Sequence, residues 1–242
     1  MGECFLYGNG GVPSTGIPEF TYTGEFLLIN DGDKNWRIKF LTSGTLTFTK
    51  LNSAANGIDV FCVGAGSGGN NFGTGGGGGG GYTTTSKGIV PALNTAYEIV
   101  IGAGGAAADN SGSVGTYGAN GGKTSAFGVA AEGGVSVSGG EGIAQSAGGN
   151  GGSGGGYNGY PGGTDGDNGG NYRDGVYGIG QGTTTREFGE ESGDLYASGG
   201  YGSNAGKSGN ADPNTGDGGH GAANNIAGNG GSGIVVIRNA RR

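Results

Sequence analysis

The sequence has few of the residues on which catalysis and metal binding usually depend. Its 242 residues include one histidine, His220, and two cysteines, Cys4 and Cys62, which lack the CxxC spacing of zinc and redox sites. Twelve Lys and Arg stand against 19 Asp and Glu, which gives a net charge of −7. Binding to nucleic acid or to an anionic membrane surface needs an excess of basic residues, so the composition argues against both.

Long hydrophobic runs and helical patterns are missing as well. No segment approaches the roughly 20 apolar residues of a membrane span, and the N-terminus lacks the basic and apolar regions of a signal peptide. We therefore expect synthesis in a cytoplasm and no membrane insertion. Apolar residues nowhere repeat at the 3.6-residue period of an α-helix, so the expected fold class is all-β.

Glycine is the residue that the sequence has in excess. Of 68 glycines, 59 lie in residues 64–233, a density about five times the usual ~7%. Collagen is excluded because the chain has only five prolines and breaks the three-residue frame, for example at residues 75–81. The block is therefore either disordered or a bundle of polyglycine II helices, in which backbone groups bond to neighbouring segments. The Asn, Tyr, Asp and Ala residues among its glycines are unlike a flexible linker and favour the bundle.

Short alternating patterns predict a jelly-roll-like β-sandwich that frames this inserted bundle. Residues 20–63 contain such patterns, and IDVFCV at 58–63 is almost continuously apolar, as in a central strand. Cys62 in this strand is predicted to be a reduced core thiol. Residues 234–242 begin with IVVIR, a closing strand whose partner must lie upstream. If both strands share one sheet, they hold the two ends of the glycine block, 64–233, together.

Shorter β-like stretches interrupt the glycine block. Two strands joined around residues 91–95 predict a β-hairpin at residues 82–101, and smaller β-like patches lie at 124–129 and 183–188. Residues 1–19 are punctuated by Gly and Pro too often for a strand. We interpret them as an N-terminal arm that attaches the chain to a partner.

Apparent nucleotide and metal motifs fail on their context. Residues 64–69 fit GxGxxG after a strand, but no helix follows to hold a pyrophosphate. Asp31, Asp33 and Asn35 have the alternate spacing of a calcium loop, but Trp36 stands where the loop requires glycine. A hairpin turn explains these residues better. We predict neither a cofactor nor a metal site.

Catalytic constellations are equally weak. His220 lies in GGHG, with no serine or cysteine nucleophile visibly placed against it. Acidic residues cluster in REFGEESGD and could in principle supply a glycosidase carboxylate pair, although a solvated acidic edge explains them better. The cluster consists of Glu187, Glu190, Glu191 and Asp194. We therefore predict that the chain is not an enzyme.

Tyrosines are concentrated in the later part of the glycine block, among Asn, Asp and Ser. Rigid aromatic rings with a polar tip, set among adaptable small polar residues, are typical of recognition surfaces and suit saccharides or proteins. The alternative, equally compatible with the sequence, is that the rings pack over the glycine helices as a partial core. The candidate receptor-binding residues are Tyr157, Tyr160, Tyr172, Tyr177, Tyr196, Tyr201 and His220.

The order of these elements resembles that of the glycine-rich tail proteins of bacteriophages and of prophages of Gram-positive gut bacteria. The resemblance runs from about residue 20 to the C-terminus and rests on NWRIKFLTSGT, IDVFCVGAGSGG, GGGGGGGYT, YEIVIGAGG, GGKTSAFG, QGTTTREFGE and GGSGIVVIR. The chain is similar, more distantly, to the polyglycine tips of tail-fibre adhesins and to the glycine-rich extracellular module of certain animal receptor kinases.

This resemblance implies a component of a phage tail, made in the bacterial host cytoplasm and carried in the virion, often as a homotrimer. Loops at the ends of the helices would bind a glycan or protein of the bacterial surface, and the N-terminal arm would bind other tail proteins. We hypothesise a non-enzymatic receptor-binding adhesin. The alternatives are a purely structural connector or cap of the tail and, less favoured, a glycan-degrading tail enzyme.

Overall fold

A computed structural model describes most of the chain. The described residues are 16–32, 35–51, 57–71, 75–108, 117–136, 148–171, 178–205, 209–222 and 227–241. Most of the predicted arm, residues 1–19, therefore lies outside the described residues, as does Cys4.

Ten strands in the described part of the chain form two antiparallel sheets of five strands each, which confirms the all-β sandwich. The first sheet has the order β1 (Glu19–Tyr22), β4 (Gly44–Lys50), β7 (Ala96–Val100), β8 (Thr124–Ala126) and β9 (Val129–Ala131). The second sheet has the order β2 (Phe26–Gly32), β3 (Asn35–Phe40), β10 (Ile234–Asn239), β5 (Ile58–Val63) and β6 (Thr83–Ile89). Among the described residues the only helical element is a single 3-10 turn at Glu187–Gly189.

The core lies between the two sheets and is filled by the inward residues that the alternation predicts. Trp36, Ile38 and Phe40 on β3 are fully buried, as are Leu46 and Phe48 on β4. All six residues of β5 are buried because its outer face is covered as well. The Cys62 thiol lies in the core, forms no disulfide, and has its pKa raised to about 12 by burial, so the prediction of a reduced core thiol is confirmed.

The closing strand pairs directly with the strand that precedes the glycine block. In the antiparallel pair β5–β10, Val63 lies opposite Ile234, so the chain enters the block at Gly64 and leaves it at Gly233 from adjacent positions. The predicted clamp is therefore confirmed. It fixes both ends of the block at one end of the sandwich.

The glycine block has the hydrogen-bond pattern of polyglycine II. Successive amides of residues 64–70 donate in rotation to three neighbouring segments at N···O distances of 2.9–3.0 Å, and the pattern repeats every third residue. The partners are carbonyls in 76–82, 119–122 and 228–231. Carbonyls of the same segment accept from amides of three further neighbours: 105–108, 134 and 219–222. A threefold helix with six neighbours is the packing that satisfies every backbone group without a sheet.

Two predicted elements are corrected by the structure. β6 and β7 exist, but they do not form a hairpin at residues 82–101, because β6 pairs with β5 in the second sheet and β7 pairs with β4 and β8 in the first. Their connection crosses between the sheets, which lets Ile99 on β7 enter the core from the opposite side. Residues 183–188 form no strand, and only the isolated pair Arg186–Leu195 has β-bridge geometry there.

Candidate recognition surface

The bundle has a near end at the sandwich and a far end where its segments reverse direction. Backbone bonds from Asn70 to Gly76, from Ala222 to Asn70 and from Ser203 to Gly75 place these residues at one level. Asn70 lies seven residues beyond Val63, the last residue of β5, which at ~3.1 Å per residue is roughly 22 Å. Six connections have described residues on both sides close to this level. They are 72–74, 109–116, 158–160, 172–177, 204–208 and 223–226.

Two of the predicted tyrosines form a pair at the far end. Tyr157 and Tyr160 bracket a turn in which the Tyr160 amide donates to the Tyr157 carbonyl and Gly159 has a φ of +79°. Their rings meet edge to face at 6.5 Å between centroids. Tyr157 is buried with 8% of its surface exposed, whereas Tyr160 is half-buried. The pair therefore has one ring that packs and one that reaches the surface.

A second aromatic pair lies beside the first. The rings of Tyr201 and His220 meet edge to face at 5.4 Å, and the backbone amide of Tyr201 donates to His220 Nδ1 at 2.9 Å. Because Nδ1 accepts this bond, the neutral imidazole carries its proton on Nε2. Both side chains are half-buried. We call Tyr157, Tyr160, Tyr201 and His220 the far-end aromatic cluster.

Backbone and amide bonds join the two pairs into one surface. The amide of Gly202 donates to the Tyr160 carbonyl, and the amide of Gly159 donates to the Ser203 carbonyl. Asn158 Oδ1 accepts from Ser203 Oγ at 3.0 Å and from Asn204 Nδ2 at 3.1 Å. Aromatic rings and exposed amides are therefore held in fixed positions relative to each other.

The far end also holds a buried amide whose side chain is unsatisfied. Asn71 is 1% exposed and forms a bridge to Ala222, yet neither Oδ1 nor Nδ2 has a hydrogen-bond partner within the described part of the chain. Buried polar groups are normally satisfied, so this side chain is one that a bound polar group would stabilise. Nothing in the sequence singles out Asn71 from the other asparagines of the block.

Tyr196 lies at the opposite end of the bundle, so its prediction as a receptor contact is corrected. Its ring packs at 5.7 Å from that of Phe61 on the outer face of the second sheet, with 6% of the residue exposed. The hydroxyl accepts from Lys39 Nζ at 2.7 Å, and burial raises its pKa to about 12. Tyr172 and Tyr177 lie outside the described residues.

The acidic residues near Tyr196 lie over the second sheet. The predicted solvated edge holds for Glu191 and Asp194, which are exposed, but not for Glu187, which is buried, and Glu190 is half-buried. Glu187 is 2% exposed and accepts from Arg37 Nη1 at 2.7 Å, with Lys39 Nζ at 3.2 Å. Glu190 binds both terminal nitrogens of Arg238, and these bonds hold its pKa below the usual value. The sequence did contain a signal for this arrangement. Arg37 and Lys39 lie on the outward face of β3, where they require acidic partners from a covering segment.

In these ion pairs the acidic side chains stabilise the packing of residues 187–196 on the second sheet. Asp194, which is well exposed, binds Lys39 Nζ at 2.7 Å and lies on the same side as Glu187. Both carboxylates therefore bind the same lysine. Within the described ranges there is no group of three metal-binding side chains and no helix long and apolar enough to cross a membrane.

Comparison with known proteins gives a family. No curated protein matches the sequence. The glycine-rich domain family matches residues 41–240, which include the whole bundle and all strands of both sheets except β1, β2 and β3. The chain therefore belongs to the glycine-rich domain family.

Proposed function

We propose that the chain is a non-enzymatic recognition component of a phage tail, with the far end of its bundle binding the bacterial surface. The observation that carries this proposal is the far-end aromatic cluster, in which Tyr160, Tyr201 and His220 reach the surface beside the exposed amide of Asn204. The parts of the proposal that concern a phage tail and a bacterial host rest on the sequence resemblance to phage tail proteins. The family match itself is to a glycine-rich domain.

The chemistry of this surface suits a glycan or a polar protein segment. Aromatic rings offer flat apolar faces for the C–H side of a sugar ring, and amides supply directed hydrogen bonds. The lattice beneath them fixes each ring before a ligand arrives, which lowers the entropy lost on binding. A surface glycan or protein of the bacterial host is therefore the proposed ligand.

The remaining parts of the proposal concern assembly. We propose that residues 1–19 bind other tail proteins, that the chain forms a homotrimer, and that it resides in the virion. The sandwich is the suitable base, because it holds both ends of the bundle at one end and leaves the far end pointing away.

Adsorption to cells tests the proposed ligand surface. Labelled protein should bind a susceptible strain, and the double variant Tyr160→Ala, Tyr201→Ala should weaken binding by about thirtyfold or more, as expected for loss of interface hot spots of about 2 kcal/mol. The matched control is Tyr82→Ala, which removes a half-buried tyrosine at the near end. Absence of binding to every susceptible strain, or equal binding by all variants, would exclude the adhesin.

One observation favours the structural alternative, a connector or cap of the tail. β2 is an edge strand of the second sheet, and it exposes 39% of Phe26 and 51% of Leu27. An apolar edge strand is suited to pairing with another chain. An electron-microscopy map of the particle separates the two functions, because a connector would have protein density on both the sandwich and the far end of the bundle.

A further inference from the structure

The bundle has an outer segment whose backbone is only partly used. Segment 64–70 bonds to six neighbours, but segment 102–108 bonds to only three among the described residues: 64–70, 117–123 and 227–233. Its exposure repeats every third residue, with Ala103 and Ala106 exposed. Segment 102–108 therefore lies at the edge of the bundle and, like an edge strand of a sheet, has backbone groups without hydrogen-bond partners among the described residues.

The free backbone groups of this segment face the outside. The amides of Ala103, Gly104 and Ala106 have no hydrogen-bond partner within the described part of the chain, nor do the carbonyls of Gly104 and Ala107. Some of these groups are three residues apart, which is the spacing of the hydrogen bonds between neighbouring segments elsewhere in the bundle. A further polyproline II segment could meet them in the same way as the six neighbours of 64–70 do.

A groove of about 430 Å³ lies beside the outer segment. Its lining comes from segment 102–108, from residues 209–213 and from residues 229–232 between them. The carbonyl of Gly230 and the amide of Ser232 are two more backbone groups without a partner among the described residues. The lining side chains are small or amidic and none is charged, so another backbone can come close.

We propose that this groove binds one glycine-rich, uncharged segment of a partner chain in the polyproline II conformation, which fills an empty position of the lattice. The existing neighbours show the spacing of the lattice, since a Cβ on Gly104 would lie inside the contact distance of the Gly230 carbonyl oxygen. A partner segment that packs at the same spacing therefore needs glycine where it faces the bundle. Proline cannot stand opposite the Gly230 carbonyl, since it has no N–H to donate. The site is separate from the far-end aromatic cluster and does not depend on the proposed function.

The test uses a fluorescent peptide with the sequence GGNGGSGGG, that of residues 148–156, added to the full chain. Ala106→Trp should fill the groove from one wall and weaken binding by at least about tenfold. Ile179→Trp is the matched control, because Ile179 is exposed on another segment of the bundle and does not line the groove. It should change binding by less than about twofold. Thermal unfolding of both variants shows that the bundle is intact.

A second peptide and a second readout make the result decisive. The peptide with alanine in place of every glycine should not bind, and NMR shifts on titration should concentrate on the amides of Gly104 and Ser232. The proposal is overturned if the glycine peptide fails to bind at millimolar concentration, or if Ile179→Trp weakens binding as much as Ala106→Trp. Equal binding by the alanine peptide would overturn it as well.

Discussion

Replacing one interior glycine by alanine should destabilise the protein far more than its size suggests. A Cβ on Gly66 would lie about 1 Å inside the closest approach of 3.0 Å that real Cβ atoms show, and the blocking atom is the backbone carbonyl oxygen of Asp217. That oxygen accepts from the Gly231 amide at 2.8 Å, and the Gly231 carbonyl accepts from the Gly66 amide at 2.9 Å. The clash therefore cannot be relieved without moving bonded backbone.

The magnitude follows from three contributions to the free energy of unfolding. Overpacking costs about 1–3 kcal/mol, and weakening two backbone hydrogen bonds costs about 0.5–1.5 kcal/mol each. Alanine offsets about 0.4–1 kcal/mol by restricting the unfolded chain. Gly66→Ala should thus cost about 3 kcal/mol, which lowers the melting temperature of a chain of this size by roughly 6–12 °C.

Gly88→Ala is the control for the glycine substitution itself. Gly88 has a φ of +71° and open space where a Cβ would stand, so only the left-handed backbone strain of about 1–2 kcal/mol applies. Urea unfolding and amide hydrogen exchange measure both variants. If Gly66→Ala destabilises no more than Gly88→Ala, or if the amides of residues 64–70 exchange as fast as an unfolded chain, the ordered lattice is refuted.

Three further predictions concern buried side chains. Burial raises the pKa of Asp217 to about 6, so Asp217→Asn should stabilise the protein by about 1–2 kcal/mol above pH 6, and the gain should vanish as pH falls toward 4. The Cys62 thiol should react with a disulfide reagent only after unfolding, because burial suppresses the thiolate. Glu187→Gln should cost about 1.5–3 kcal/mol in urea unfolding, since it removes the buried charge that Arg37 and Lys39 share but leaves them paired with Asp31 and Asp194.

Each of these measurements has a control within the chain. Glu132→Gln breaks the exposed ion pair with Lys123 and should cost less than about 1 kcal/mol. The thiol assay uses a Cys4→Ser background, so that only Cys62 reports. For Asp217, the wild type should gain stability between pH 6 and pH 4 while the Asn variant does not, because the folded carboxyl binds a proton that the unfolded one releases. Parallel pH profiles would contradict the raised pKa.

Much of the sandwich could be predicted from the sequence because period-two alternation reports directly on burial. Trp36, Ile38 and Phe40 follow it, and the continuous run in β5 reflects a strand covered on both faces. The false hairpin at 82–101 shows the limit of this reasoning. A six-residue connection between two strands is compatible with a hairpin and with a crossing between sheets, and only the packing of Ile99 in the core decides between them.

The candidate site was harder to predict, because composition does not tell which end of a glycine segment a tyrosine occupies. Tyr196 and Tyr201 are five residues apart, yet one packs on the sandwich and the other lies near the far end, about 15 Å farther along a polyproline II path. Position along the bundle depends on where each segment starts and on its direction. Those are set by hydrogen bonds between segments far apart in sequence, such as 78 with 219 and 67 with 79.

The lattice separates stability from recognition in a way that a side-chain core does not. Interior glycines such as Gly66 cannot be replaced without a clash because backbone meets backbone there, so their identity is fixed by the fold alone. The exposed side chain of Asn204 bonds to Asn158, another far-end residue, so a change there leaves the interior hydrogen bonds in place. On the proposed function, substitutions at the far end should therefore alter the ligand that is bound while leaving the melting temperature nearly constant, whereas interior substitutions should lower the melting temperature before they alter binding.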